Sequence, residues 1–207
     1  MIETLIFIVA LLVAVVALYW IVLKSSDDKI AKQYQQLAER FELELNQPNP
    51  KMAGLLRPEP SVYGRYRGRE ISISVPGKGL QNTRQVETVL KVSVLNTSLT
   101  AQLAATGPLA GMRQRDSGGM QRWKSGDEAF DRNVDARTSD AARFSELLTD
   151  ETRTWLAGNL KRSRATLYVG KKALAFAKLG LISNEAARRQ FEAAAEFLCD
   201  LAETIEA

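Results

Sequence analysis

The sequence predicts an α+β protein: a single N-terminal transmembrane helix, then a cytoplasmic domain with an antiparallel β-meander or sheet and a long C-terminal packing helix. Three observations carry this. Leu5 to Leu23 is a run of nineteen residues without a charge, a proline or a glycine. Strand-like alternation of apolar and polar residues fills much of the stretch from Ser61 to Leu103. From Ala187 to Ile205 apolar residues recur at alternating spacings of four and three, the period of one helix face.

At a rise of about 1.5 Å per residue the first run spans roughly 28 Å, close to the hydrocarbon thickness of a bilayer. A cleaved signal needs a basic start and small residues at a cleavage site. This run starts behind Met1, Ile2, Glu3 and Thr4 and ends in Tyr19, Trp20, Ile21, Val22 and Leu23. It therefore reads as a retained anchor. No Lys or Arg precedes it, whereas Lys24, Lys29, Lys32 and Arg40 follow it. Cationic flanks stay on the cytoplasmic side, so the N-terminus is expected outside and the domain inside. Tyr19, Trp20 and Lys24 together make an interfacial belt at the inner end. The run has no polar residue for an ion path and no G-x-x-x-G for a specific dimer face.

Ser25, Ser26, Asp27 and Asp28 then offer helix caps. Ile30, Tyr34, Leu37, Ala38 and Phe41 form the apolar stripe of a separate amphipathic helix that ends before Pro48 and Pro50. Lys51 to Pro60 reads as a linker. The expected parts are thus an anchor over 1–24, a juxtamembrane helix and linker over 25–60, and a domain over 61–207.

Within the domain, Val62, Tyr63 and Tyr66 lead to a turn near Arg67 and Gly68, and Ile71, Ile73 and Val75 alternate with Ser72 and Ser74. That is a hairpin. Strands follow across Val86–Leu95 and Leu99–Leu103, so four successive strands imply a meander. Residues 107–128 hold Gly107, Gly111, Gly118, Gly119 and Gly126 at no phosphate-binding spacing, and read as a flexible loop in which Trp123 is pinned. Phe130 to Ala136 has a weak strand pattern. Two helices capped near Asp140 and Thr149 come next, then strands at Ala165–Val169 and Ala173–Lys178, then the helix from Ser183. The nearest architectural analogy is a pleckstrin-homology-like barrel with a capping helix; an open sheet with helices on one face fits as well. No stretch carries the signature of a named family.

Composition excludes much chemistry. With no histidine and one cysteine, Ser-His and Cys-His catalysis, disulfides within the chain and His- or Cys-rich zinc sites are all ruled out. No metal or cofactor is implied. Cys199 lies beside the C-terminal stripe and reads as a small buried hydrophobe. Two acids, Asp127 and Asp131, are the candidates for acid/base work or for an oxygen-ligated ion, although the calcium-loop alternation is missing.

Charge is uneven. Between Arg57 and Lys124 there are eleven Lys and Arg against four acids. Arg65, Arg67 and Arg69 alternate, which on one strand places them on one face. Beside the inner leaflet such a row would meet anionic headgroups or a partner protein. Nucleic acid fits less well, because no helix-turn-helix or RNP motif accompanies the charge. The sequence therefore supports a non-catalytic, membrane-anchored binding or scaffold protein, an assembly factor or accessory subunit working with the bilayer and other membrane proteins. The competing reading is an enzyme that acts on a membrane-associated substrate through Asp127, Asp131 and an arginine. Nothing in the chain fixes its oligomeric state.

Overall fold

The computed structural model describes residues 2–49, 58–77, 86–96, 99–107 and 119–207. Most of the linker read at Lys51–Pro60, and Gly111 and Gly118 of the glycine-rich stretch, lie outside the described residues.

Helix α1 runs without a break over Ile2–Phe41. The anchor and the juxtamembrane helix, expected as two elements, are one. No glycine or proline occurs between Met1 and Gln47. The four small polar residues Ser25 to Asp28 cost only a few tenths of a kcal/mol each inside a helix, so the flanking segments carry the helix through them. It ends in a left-handed cap. Glu42 has φ 54, and the Leu43 N–H reaches back to the Ala38 carbonyl at 2.8 Å, the Schellman arrangement that satisfies a terminal carbonyl.

Strands β1 (Glu44–Asn46), β2 (Ser61–Tyr66), β3 (Arg69–Ser74), β4 (Glu87–Ser93), β5 (Ala101–Ala105) and β6 (Gln121–Trp123) follow. Then come α2 (Glu128–Asn133), β7 (Val134–Thr138), α3 (Ala141–Leu147), α4 (Asp150–Ser163), β8 (Thr166–Val169), β9 (Ala173–Leu179) and α5 (Glu185–Glu206). The β2–β3 turn is two residues, Arg67 at φ 51 and Gly68 at φ 76, which is the twist-matched hairpin connection.

All nine strands form one sheet in the order β1-β2-β3-β4-β9-β8-β5-β7-β6, with antiparallel neighbours throughout. Two expectations change. The meander stops at β4, because the β8–β9 hairpin inserts between β4 and β5. The sheet is open, with β1 and β6 as edges, so it is not a pleckstrin-homology-like barrel. The stretch read as a weak fifth strand from Phe130 is first the short helix α2, and strand geometry starts only at Val134. Within the expected loop 107–128, Gln121–Trp123 pairs with β7, and Trp123 packs edge-on against Phe144 with ring centres 4.9 Å apart.

The helices cover one face. Ile71, Ile73, Leu90, Val92, Leu167, Leu174 and Phe176 of the sheet are buried together with Phe191, Ala194 and Leu198 of α5 and Tyr34, Leu37 and Phe41 of α1. The second half of α1 is thus part of the domain core. At about 25 cal/mol per Å² of apolar surface, each of its large buried side chains contributes roughly 1.5–3 kcal/mol to holding the helix on the domain.

Candidate functional site

Helix α1 has two halves with opposite surroundings. From Ile6 to Val22 its large apolar side chains are exposed, Leu18 by 63 % and Val22 by 65 %. The helix is long and apolar enough to cross a membrane. Trp20 and Lys24 meet at the C-terminal end of the apolar half, with the ammonium 5.3 Å from the ring centre, and Tyr19 is exposed one position before. From Ile30 onward the stripe Ile30, Tyr34, Leu37, Ala38 and Phe41 is buried. Leu23 and Ile30 are seven residues apart, about 10 Å along an unbroken helix.

That continuity gives the domain two distinguishable ends. Arg188 Nε donates to Gln33 Oε1 at 3.2 Å, and Arg40 pairs with Glu196 at 3.6 Å. Helices α1 and α5 therefore run side by side in the same direction, and the start of α5 lies level with the first buried turn of α1. On the helix-covered face α4 runs opposite to α5: Thr149 and Thr152 line one groove with Asp200, Leu201 and Thr204, and Trp155 stacks on Phe197, so the end of α4 points back toward the start of α5. The end of α4 therefore belongs to it, and so does the end of helix α2, whose Asn133 side chain accepts from Lys161 at 3.1 Å. We call it the anchor end. The β2–β3 turn and the end of α5 form the opposite tip.

The three arginines of the hairpin do not share a face. Arg67 occupies the turn itself, where its guanidinium meets Asp200 at 2.6 Å and Glu203 at 2.8 Å. Arg69 stands on the helix side and forms a two-pronged pair with Glu206, both contacts at 2.7 Å. Arg65 lies on the opposite, helix-free face across from Glu70. The alternation expected from a continuous strand fails because the chain reverses at Arg67 and Gly68. Glu206 also accepts the Leu95 N–H at 2.7 Å. The Arg69 guanidinium and that N–H together hold its carboxyl down to about 2. The tip also lies level with Phe41, whose ring packs on Tyr66 at 4.8 Å. Eighteen helical residues separate Leu23 from Phe41, about 27 Å.

Asp127 and Asp131 are used locally. Asp127 caps α2, accepting from the Ala129 N–H at 2.8 Å and the Phe130 N–H at 3.3 Å. Asp131 accepts from the Ser125 N–H at 2.9 Å and from its hydroxyl at 3.0 Å. Among the described residues no three Cys, Asp or Glu side chains gather to hold a metal ion. Cys199 is fully buried, and burial pushes its thiol up to about 11, which leaves no thiolate at neutral pH.

Among the concavities on the described surface, three are of 400 Å³ or more. One of about 560 Å³ runs between α4 and α5, where Trp155 and Phe197 stack with ring centres 3.8 Å apart beside Glu151, Glu196 and Asp200. One of about 480 Å³ lies on the helix-free face and includes Arg65, Glu70, Lys91 and Lys172. The third, about 400 Å³, is at the anchor end and is lined by Asn133, Ala157, Gly158, Lys161 and Arg162. Sequence reasoning missed all three, because each joins segments far apart in the chain. The cations at the end of α4 were visible, but their spacing alone marks only a helix C-terminus.

No family model matches this chain, and no curated protein matches it by sequence. Among solved structures, the fold is similar to the crystal structure of the mycobacterial trehalose monomycolate transport factor A, TtfA. The TM-score is 0.59 at 11 % sequence identity, covering 84 % of this chain and 95 % of the other. The likeness shows a shared fold over nearly the whole length of that protein.

Proposed function

We propose that this chain is a membrane-tethered, non-catalytic binding protein, an accessory or assembly factor of a membrane complex, with its N-terminus outside and its α+β domain in the cytoplasm. One observation carries the reading. A helix with an exposed apolar half passes without a hinge into the core of a folded domain, which suits a domain held at fixed height above a bilayer. The charge flanking Leu5–Leu23 supports the orientation. The similar fold of a protein titled a transport factor supports the accessory class, and its cargo remains a property of that protein. Against the enzyme alternative, Asp127 accepts from the Ala129 N–H and Asp131 from the Ser125 N–H, so both carboxylates have local backbone partners.

Alkaline carbonate extraction of membranes holding the full chain tests the tether, with protease digestion of a C-terminal tag in right-side-out and inverted vesicles. The chain should stay in the pellet, and the tag should be cut only in inverted vesicles. Release by carbonate would overturn the tether, and cutting in right-side-out vesicles would overturn the orientation.

A further inference from the structure

The end of the domain nearest the apolar half of α1 carries cations that the fold does not neutralise. Lys161, Arg162 and Arg164 are exposed at the end of α4, and among the described residues none has an acid within ion-pair distance. Lys161 Nζ donates to the neutral Asn133 Oδ1 at 3.1 Å. Arg132 on α2 is 79 % exposed and lies 3.8 Å from Glu128, itself 94 % exposed. A pair that open is screened almost completely. Between these two helices lies the depression of about 400 Å³ lined by Gly158, Lys161 and Arg162. A β-carbon at Gly158 would meet nothing within 4 Å, so the depression is open beside the backbone of α4.

Distance supplies the partner. The first buried turn of α1 begins about 10 Å beyond Leu23. The headgroup layer on each side of the hydrocarbon core is roughly 5–8 Å deep. The anchor end therefore lies within about one Debye length of the headgroups at physiological ionic strength. The tip is some 17 Å farther away at the same rise per residue.

We propose that Arg132, Lys161, Arg162 and Arg164 form a docking surface for anionic phospholipid headgroups of the leaflet facing the domain, with the depression beside Gly158 receiving a phosphodiester. This rests on the tether reading. It replaces the hairpin arginines as the lipid contact, because two of those are held by α5 and all three are at or near the far tip. Docking of this end would fix the tilt of the domain and so the direction in which the α4–α5 groove faces along the membrane.

The test uses the full chain reconstituted in phosphatidylcholine bilayers with spin-labelled phosphatidylglycerol or phosphatidylcholine as the probe. The ratio of the two association constants is read from the immobilised fraction. The wild type should prefer the anionic probe, and the preference should fall at high salt. A cation near the surface contributes about 1 kcal/mol, a factor of about five. The triple variant Lys161→Gln, Arg162→Gln, Arg164→Gly should thus lose at least about five-fold of the preference, while Arg65→Gln keeps it. Arg164→Gly alone guards against misfolding. Arg164 sits at φ 52, where glycine fits without strain, so this variant should fold at least as well and still lose about two-fold or more. Wild-type preference in either folded variant would overturn the proposal. Carbonate extraction of the same preparation separates the two readings: a chain that stays in the bilayer without the expected loss overturns the docking surface alone, and an extracted chain overturns the tether.

Discussion

The tip and the anchor end of the domain are both rich in arginine and lysine, yet the fold treats them in opposite ways. At the tip, Arg67 and Arg69 face Asp200, Glu203 and Glu206, which recur every three residues along the last turns of α5. At the anchor end, Lys161, Arg162 and Arg164 crowd the end of α4 with no acid opposite among the described residues. A count of charges along the chain ranks the tip as the basic region, since the surplus between Arg57 and Lys124 includes all three hairpin arginines. The structure reverses that ranking. What matters for a polyanionic partner is the charge left over after the chain has paired with itself, and that depends on residues more than a hundred positions away.

The sharpest way to break this contrast is to attack the Arg69–Glu206 pair, where the side chains are only 14 % and 25 % exposed. Arg69→Met should cost about 2–3 kcal/mol of stability, because a two-pronged charged pair is lost and Glu206 keeps a single N–H. Denaturant unfolding of the full chain in detergent micelles measures it. The same pair should appear in the pH dependence. Glu206 is held well below its ordinary value of 4.5, at about 2, so its contribution is complete above about pH 4.5 and fades as pH falls toward 2. Between pH 5 and pH 2.5 the wild type should lose more stability than Glu206→Gln does. Equal losses would remove the pair from the account.

Arg67→Ala should have a smaller effect, about 1 kcal/mol. Its partners Asp200 and Glu203 are 63 % and 52 % exposed, and solvent screens pairs of that kind. If the two arginines proved equal, burial would not be what ranks them. At the anchor end the sign should change. Arg164→Gly relieves a left-handed backbone that costs an L-residue about 1 kcal/mol, offset in part by the added freedom of glycine in the unfolded chain. A gain of up to about 0.5 kcal/mol is expected, seen as a higher thermal midpoint.

How much of this was legible follows from which interactions are local. The α5 stripe, the hairpin around Arg67 and Gly68, and the caps at Asp140 and Thr149 are set by neighbours within a few residues, and the sequence displays them. The insertion of β8–β9 beside β4 is not local. The pairing of Val92 with Leu174 joins positions 82 apart, and no turn signal near either announces it. The cap at Asp127 was hidden for a related reason: α2 is only six residues long, too short to show a period, so nothing in the sequence marked its acid as a cap. At Ser25–Asp28 the polar residues read as caps, whereas the absence of any glycine or proline decided the outcome.

Lys161→Gln should have the smallest effect, a loss within about 0.5 kcal/mol, typical of a surface substitution away from special features. The reason is specific. Lys161 gives up one contact to the neutral Asn133 and a share of the favourable field at the end of α4, a term worth a few tenths of a kcal/mol when exposed and screened. Among the described residues there is no acid to strand. Thermal unfolding of the variant beside Arg69→Met puts the two ends on one scale. A loss above about 1 kcal/mol would mean that the anchor-end cations hold the domain together as the tip cations do. In that case a drop in anionic-lipid preference would have a structural cause. A near-zero change together with that drop would leave the lysine free for a partner outside the chain.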